Sequence, residues 1–550
     1  MIAEPEIFCV IGSGPAGVAC ARALLDQGKN VRMLDAGITL EPERLPLVEK
    51  LKRTGPENWT PNDLARYQEG MNSGASGVPL KLVYGSDFAY RETDEHLRVD
   101  YDRVGLRPSL AQGGLSNVWG AAMLPYLEAD IADWPLRLDS LAEHYEAALR
   151  LTGLAGVKDL LSEFFPLYTS ETTKLRLSRQ SEQLLQRMEQ NRAALTTAQI
   201  HFGQSRVAVR GQSAADEGCV HCRLCMYGCP YDFIYRTSHN LAALMREPRF
   251  VYQGGVIVQK VRETDGAVEI SGYERATHKP VSWQCSRVFL AAGAIATTQI
   301  LLRSQAAYDQ PVWLKDSQYF LLPLLLLRKV KGATQERAHG LSQLFLEIMR
   351  EGAQGVAAHI QVYSNSDLVS QAVANSFGPL RRPLGFLVRD LQERMLVAQG
   401  FLHSRDSGRI AAVLKRGPNA DEDRLELRAE PNPETPRHVR HAAFKLLQHA
   451  RRLGAVPLVP MLKIAELGRS FHAGGSFPMS DSPHGFQTDV LGRPTGWQRI
   501  HAVDATVFPS VPATTITFSV MANAHRIGCA AAALSSNAQS RPVNAFGSYA

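Results

Sequence analysis

The sequence predicts an α/β fold: a parallel sheet assembled from separated segments of chain, with an α+β region inserted among them. Three observations carry this. An apolar run, Ile7-Phe8-Cys9-Val10-Ile11, passes through Gly12-Ser13-Gly14-Pro15-Ala16-Gly17 into a helical pattern, Val18 to Gln27. A second apolar run, Val31 to Leu34, then ends on Asp35. Far downstream, Val288 to Leu290 repeats the device, reaching a glycine turn at Gly293 and a helical stretch from Thr297 to Leu302. The third observation is residues 311–464, which lack such turns and mix strand-like and helical runs.

The first unit reads as strand, G-x-G-x-x-G turn, helix, strand, acid. Gly12 allows the tight turn, Gly14 lets a pyrophosphate approach the backbone, and Gly17 lets helix and strand pack closely. The pyrophosphate then meets the free N–H groups of the helix N-terminus. Asp35, about twenty residues on, is placed to accept from a ribose hydroxyl. The flanking elements and the acid make this a Rossmann-like site for an adenine dinucleotide.

Composition narrows the class. At 550 residues the chain has room for two or three domains and a large core. Its 45% hydrophobic and 21% charged residues are those of an ordinary globular protein. The net charge of +6 is small for the length, and no basic block carries interleaved aromatics, so nucleic acid is not indicated. The first strand begins almost at Met1, which predicts no signal peptide and a cytoplasmic location. The longest apolar stretch, Tyr319 to Leu327, is broken by Pro323 and too short to span a bilayer; it predicts a buried strand.

Further elements follow in order. Residues 36–105 read as irregular. Leu141 to Leu151 and Glu182 to Leu195 read as helices, and Phe250 to Ile270 as paired strands. In the inserted region Phe320 to Leu327, Val356 to Tyr363 and Arg409 to Leu414 read as strands; Leu341 to Arg350 and Val439 to Leu453 read as helices. The cofactor domain is expected from residues 1–155, 215–310 and 465–550, and the substrate domain from 156–214 and 311–464.

The C-terminal stretch adds His472-Ala473-Gly474-Gly475-Ser476-Phe477-Pro478-Met479, then Val503-Asp504-Ala505-Thr506-Val507-Phe508-Pro509, then Pro512 to Thr517 leading into a helix. These resemble the closing signature of the glucose–methanol–choline (GMC) flavoprotein oxidoreductases. Leu290-Ala291-Ala292-Gly293-Ala294-Ile295 is similar to another segment of that family, and Gly113-Gly114 to Trp119 to its central flavin loop. The match spans the cofactor-binding parts and leaves out the middle region. The resemblance implies FAD. It places Gly12, Gly14 and Gly17 at the pyrophosphate, Asp35 at the ribose and Val258 beside the adenine. It sets Gly114, Ser116 and Asn117 along the pyrophosphate and flavin, and Asp504 at the ribityl or pyrophosphate region. Ala292, Gly293 and Thr515 fall in the matching cofactor segments, and His472 takes the catalytic position.

Chemistry supports His472 separately. Oxidising an alcohol removes the O–H proton as hydride leaves carbon, and an imidazole can take that proton near neutral pH. A helix opening at Pro512 would aim its positive end at the flavin. Two positions depart from the family pattern. Where many members carry a second His or Asn, this chain offers Val511 or Thr514. Val118 stands where pyranose oxidases attach flavin to a histidine, so covalent FAD is not expected there.

Of eight cysteines, Cys9, Cys20, Cys285 and Cys529 are scattered and read as core residues. The others form Cys219-x2-Cys222-x2-Cys225-x3-Cys229-Pro230, the spacing of a ferredoxin cluster loop. One iron–sulfur cluster, a zinc knot or a structural loop all stay open, since no second run completes a two-cluster pattern. Similar runs occur in two relatives of this type. In the catalytic subunits of bacterial FAD-dependent glucose dehydrogenases the cluster carries electrons outward; in long-chain alcohol oxidases none is implied.

The expected function is oxidation of a CH–OH group of a small molecule, a sugar or glycoside among the candidates, by an FAD enzyme with a histidine base. A partner protein or a quinone would accept electrons from a cluster. The alternatives are a flavoenzyme of different net reaction (isomerase, lyase or tailoring oxidase) and an electron-transfer subunit.

Overall fold

The computed structural model describes residues 6–70, 80–214, 216–353, 355–378, 382–418 and 422–539; the segment ends expected at residues 1, 215 and 550 lie outside them. A five-stranded parallel sheet forms one centre, in the order Ile500–Ala502, Arg287–Leu290, Ile7–Ile11, Asn30–Leu34, Phe250–Gln253. Strand Ile7–Ile11 is almost wholly buried because both sheet faces are covered, hence its unbroken apolar run. The first helix, Pro15–Asp26, packs against the closing helix, Thr517–Gln539. The carboxyl ends of three neighbouring strands lead to Gly12, Ala291 and Asp504, where crossovers leave in opposite directions and open a crevice.

A seven-stranded sheet stands opposite. Its path runs Ala455–Pro457, Tyr319–Leu326, Met395–Leu402, Val356–Tyr363, Leu344–Met349, Ile200–Gln204, and Lys463–Ile464 also pairs with Tyr319–Leu326. One face packs on a core of Phe320, Leu322, Leu346, Ile360 and Ala398 beneath the helix Thr435–Gln448. Pro323 is tolerated because it falls between the two short strands that share its edge, where no ladder N–H is required. A second five-stranded sheet and a three-stranded one complete the strands.

Several expectations change. Residues 341–350 are not helical: Leu344–Met349 is a strand buried on both faces. Leu344, Leu346 and Ile348 enter one core while Phe345 and Met349 enter another, so a double-sided strand imitated an apolar helix. The helix expected from Pro512 begins at Thr517, with Val520 N–H donating to Ile516 C=O. The helical stretch 182–195 is two helices, Arg179–Gln190 and Arg192–Thr197, parted at Asn191. Residues 36–105 contain the helices Leu45–Thr54 and Pro61–Tyr67. In 250–270 the hairpin is Val256–Thr264 with Ala267–Glu274, while Phe250–Gln253 joins the parallel sheet.

Candidate active site

A cavity of about 820 Å³ runs from the glycine turn to the face of the seven-stranded sheet. Gly12 makes the sharp exit from the first strand at φ +102°; a Cβ there would stand 2.5 Å from the Ala291 carbonyl oxygen. Gly14 caps the first helix with φ −67° and no side-chain cap, leaving first-turn N–H groups to face the cavity. A Cβ on Gly14 would meet nothing within 4 Å. Gly17 is absent from the lining and serves packing instead, since its Cβ would sit 1.9 Å from the Gly12 carbonyl oxygen.

Asp35 is buried at one end of the cavity. Its carboxylate accepts from Ser13 N–H (3.2 Å), Ser13 Oγ (2.6 Å) and Tyr252 Oη (2.9 Å). Burial pushes its pKa up, against these hydrogen bonds. Val258 lies on the wall nearby in sequence to Val256 and Ile257, which also line it. Ser13 Oγ also accepts from Gly113 N–H at 2.9 Å, tying the two glycine turns together.

Gly114 and Ser116 reach the cavity from the turn Gly114–Asn117, and Val118 follows them on the wall. Asn117 does not line it; its Nδ2 donates to Gln112 C=O and Gly114 C=O and holds the turn closed. Ala292 and Gly293 line it from the second glycine turn, where Gly293 has φ +89° and open space beside its Cα. Asp504 accepts from Gly293 N–H at 2.9 Å, from Thr297 Oγ1 at 2.5 Å and from Thr506. Burial again raises its pKa against those bonds.

His472 stands on the same wall. Its loop is held from both sides. Asp316 accepts from Gly468 N–H and Ser470 Oγ, and Ser470 Oγ accepts from His472 N–H at 3.0 Å. His472 C=O accepts from Ser317 N–H at 3.0 Å, and its ring stacks on Phe401 at 4.9 Å. Burial, with His359 adding, pushes its pKa down to about 3, so the imidazole is neutral at physiological pH. Its buried Nδ1 has no hydrogen-bond partner. Thr515 lines the cavity and accepts from Leu124 N–H, whereas Val511 and Thr514 are buried outside the lining.

Sequence reasoning missed the groups that the seven-stranded sheet brings to this end. Tyr319, Gln361, Tyr363 and Gln399 line the cavity there. Behind them, Glu347 Oε1 lies 2.7 Å from His359 Nδ1, both fully buried. His359 Nε2 faces Gln361 Nε2 at 3.2 Å, and Tyr363 Oη donates to Gln361 Oε1 at 2.8 Å. Glu347 was hidden by its misread strand.

The four clustered cysteines are free and line one small pocket with His339, Tyr231 and Leu341. Gly340 N–H donates to Cys225 Sγ and Phe233 N–H to Cys229 Sγ. Burial pushes the Cys219 thiol up to about 11 and the Cys222 thiol up to about 12. Leu341 also lines the main cavity, as do Met226 and Lys81. Lys81 donates to Trp119 C=O at 2.8 Å; burial brings its pKa down to about 8, opposed by Cys225 and Cys229. Of the scattered cysteines, three are buried and Cys529 is half-buried.

The fold is mixed α/β with a parallel sheet, and glycine turns at its carboxyl edge line the cavity. The solved pyridoxine 4-oxidase from Mesorbium loti shares the architecture, with a TM-score of 0.58, 14% identity, and coverage of 96% of this chain and 98% of that one. The 6'''-hydroxyparomomycin C oxidase of Streptomyces lividus is 26% identical over 320 residues, 55% of this chain and 50% of that protein. The chain thus matches about half the length of this curated relative. No family model matches the chain. No helix among the described residues is long and apolar enough to cross a membrane.

Proposed function

We propose that this chain is an FAD-dependent oxidoreductase of the GMC type that oxidises the CH–OH group of a small molecule. One observation carries the reading. A single cavity joins an uncapped helix N-terminus and the buried Asp35 to a neutral, buried imidazole with an unpartnered nitrogen. The open space at Gly14 and Gly293 fits a pyrophosphate lying against backbone, and Asp35 stands on the same wall for a ribose. Both similar proteins are named as oxidases, which agrees.

Bound FAD supplies a two-electron acceptor for the hydride of the carbinol carbon. His472 accepts the hydroxyl proton as the C=O bond forms. The Phe401 ring and the Asp316–Ser470 contacts fix its plane and position. Gln361 and Tyr363 offer the polar contacts for the substrate oxygen that Val511 and Thr514 do not. Val118, having no nucleophilic atom, offers no point of covalent attachment at that position.

The spacing of Cys219, Cys222, Cys225 and Cys229 favours a single iron–sulfur cluster as an exit for electrons, towards a protein or quinone acceptor. Its wall is shared with the cavity at Leu341. A zinc ion at about 2.3 Å from each sulfur would draw the sulfurs to within about 4 Å. Three such atoms gathered within 4.8 Å occur elsewhere among the described residues and not in this run.

Protein purified without air tests both parts. The reading expects flavin absorption that bleaches with an alcohol substrate, together with stoichiometric iron and acid-labile sulfide. Flavin bands without iron reject the cluster, and protein that takes up no flavin rejects the whole.

A further inference from the structure

We propose that His144, His525 and Cys529 form a zinc site that clamps the closing helix to the helix Ala142–Thr152. None of the three residues lines the main cavity, so the site is separate from the candidate active site.

The donor set comes from two packed helices. The closing helix, Thr517–Gln539, carries His525 and Cys529 four residues apart, so they share one face on successive turns. The helix Ala142–Thr152 packs against it and brings His144, its third residue, to that face. Imidazole nitrogen and cysteine sulfur are the ligands that zinc takes.

The distances fit one ion. His144 Nδ1 lies 2.9 Å from His525 Nδ1, and Cys529 Sγ lies 3.7 Å from that same His525 nitrogen. One ligand atom from each residue gathers within 4.8 Å of the others. Zinc bonds of about 2.0–2.1 Å to nitrogen and about 2.3 Å to sulfur, at tetrahedral angles, set the nitrogens about 3.3 Å apart and nitrogen and sulfur about 3.6 Å apart. A small opening of the ring pair meets both values. The flat trigonal arrangement of a two-histidine, one-cysteine copper site asks for nitrogens about 3.6 Å apart, further from what is seen.

Hydrogen bonding alone does not satisfy the cluster. A neutral His525 Nδ1 has either one proton or one lone pair, and it faces both the His144 ring and the thiol. One of those two contacts therefore goes short, whereas an ion meets all three lone pairs at once. The opposite edge of the His144 ring is also suited to a ligand: its Nε2 stands 3.4 Å from Glu143 Oε1, a carboxylate that can hold the outer N–H of a metal-bound imidazole. The neighbouring cation, Arg526, is engaged elsewhere, donating to Asn523 Oδ1 and Val490 C=O. Both imidazoles are buried and Cys529 is half-buried, so an ion enters past the thiol.

The ion would pin a helix that matters to the cavity. His525 lies eight residues beyond Thr517, about 12 Å along the axis, and Thr515, Ile516 and Thr517 line the cavity wall. Between them Tyr145 Oη and Ser519 Oγ, 2.7 Å apart, already join the same two helices. Zinc adds a second, stronger join.

The test uses the FAD-loaded full-length protein carrying Cys222→Ser and Cys225→Ser, so that the cysteine run cannot close round an ion. Bound metal is removed by dialysis against a chelator, zinc is titrated in competition with a coloured chelator, and cobalt is added in parallel. The expected result is one equivalent of zinc, with a cobalt spectrum that shows tetrahedral d–d bands and a thiolate charge-transfer band. Cys529→Ser abolishes the charge-transfer band, and His144→Gln weakens zinc by about a hundredfold or more, beyond the loss of an outer hydrogen-bond partner. Zinc at a hundred times its dissociation constant shifts the folding equilibrium about a hundredfold towards the folded chain. That shift reads as a rise in the urea midpoint, which Cys529→Ser loses. Zinc-edge X-ray absorption on the same starting protein needs no further variant: a shell of two imidazoles and one sulfur upholds the site, and a shell with no sulfur, or with two or more, overturns it. No equivalent of zinc taken up, or the same affinity and cobalt bands after Cys529→Ser and His144→Gln, also overturns it.

Discussion

Gly14→Ala and Gly17→Ala separate a glycine kept for a ligand from one kept for the fold. Gly14 has an ordinary φ of −67°, and a Cβ there meets no protein atom within 4 Å. As a helix N-cap, alanine costs about 1 kcal/mol relative to the best residues, and its stiffer unfolded chain returns about 0.4–1 kcal/mol. Folding stability should therefore stay within about 1 kcal/mol of the parent. The methyl group nevertheless stands on the cavity wall. A pyrophosphate forced against it meets overpacking of about 2–3 kcal/mol, which weakens FAD binding about 30- to 150-fold. At Gly17 the clash is internal, 1.9 Å from the Gly12 carbonyl oxygen, and helix and turn must part. That should cost about 3 kcal/mol or more. Urea unfolding of the apoprotein measures the stabilities, and FAD titration of the same samples measures the affinities. A Gly14→Ala protein that binds FAD as the parent does, or a Gly17→Ala protein of parental stability, refutes this division.

Other perturbations probe the catalytic end and the exit path. Because burial holds His472 neutral, kcat/KM should be flat through neutral pH and fall only in acid, with a midpoint below the ordinary histidine value of 6.5. His339 and His501 are likewise held down to about 3 by burial. Between about pH 6.5 and 3 the unfolded chain binds protons that these groups in the native chain do not, so stability drops as pH falls through that window; pH-dependent urea midpoints check the sign. Asp316→Ala leaves the Gly468 N–H and Ser470 hydroxyl without their acceptor, and should cost about 1–3 kcal/mol. With the His472 loop released, flavin reduction should slow about tenfold, as for a misplaced catalytic group. Cys225→Ser should lower iron content while leaving FAD stoichiometry intact; unchanged iron would remove that thiol from the ligand set.

The glycine-turn end of the cavity was legible because its demands are local. A turn that needs Gly12, a cap without a side chain at Gly14 and a buried acid at Asp35 leave their mark within thirty residues. Gly17 and Asn117 were found but lie outside the lining: motif position does not tell a residue facing the ligand from one bracing the turn. The substrate end was illegible for a different reason. It is made by tertiary pairing of strands far apart in sequence, so Tyr319 and Phe401 come together only through register. Leu344–Met349 shows the limit most clearly, since burial on both faces erases the alternation that marks a strand. The start of the closing helix was misplaced because Pro512 suits a first turn, yet the chain bends at Ala513, Thr514 and Ile516 and turns helical only at Thr517.

Anaerobic flavin bleaching by a saturating alcohol substrate in a His472→Ala variant is the most direct test of the account. With the fold and FAD stoichiometry preserved, the rate should fall by about a hundredfold or more, the scale of a lost general base. Bleaching at the parental rate would contradict the assignment of proton removal to His472.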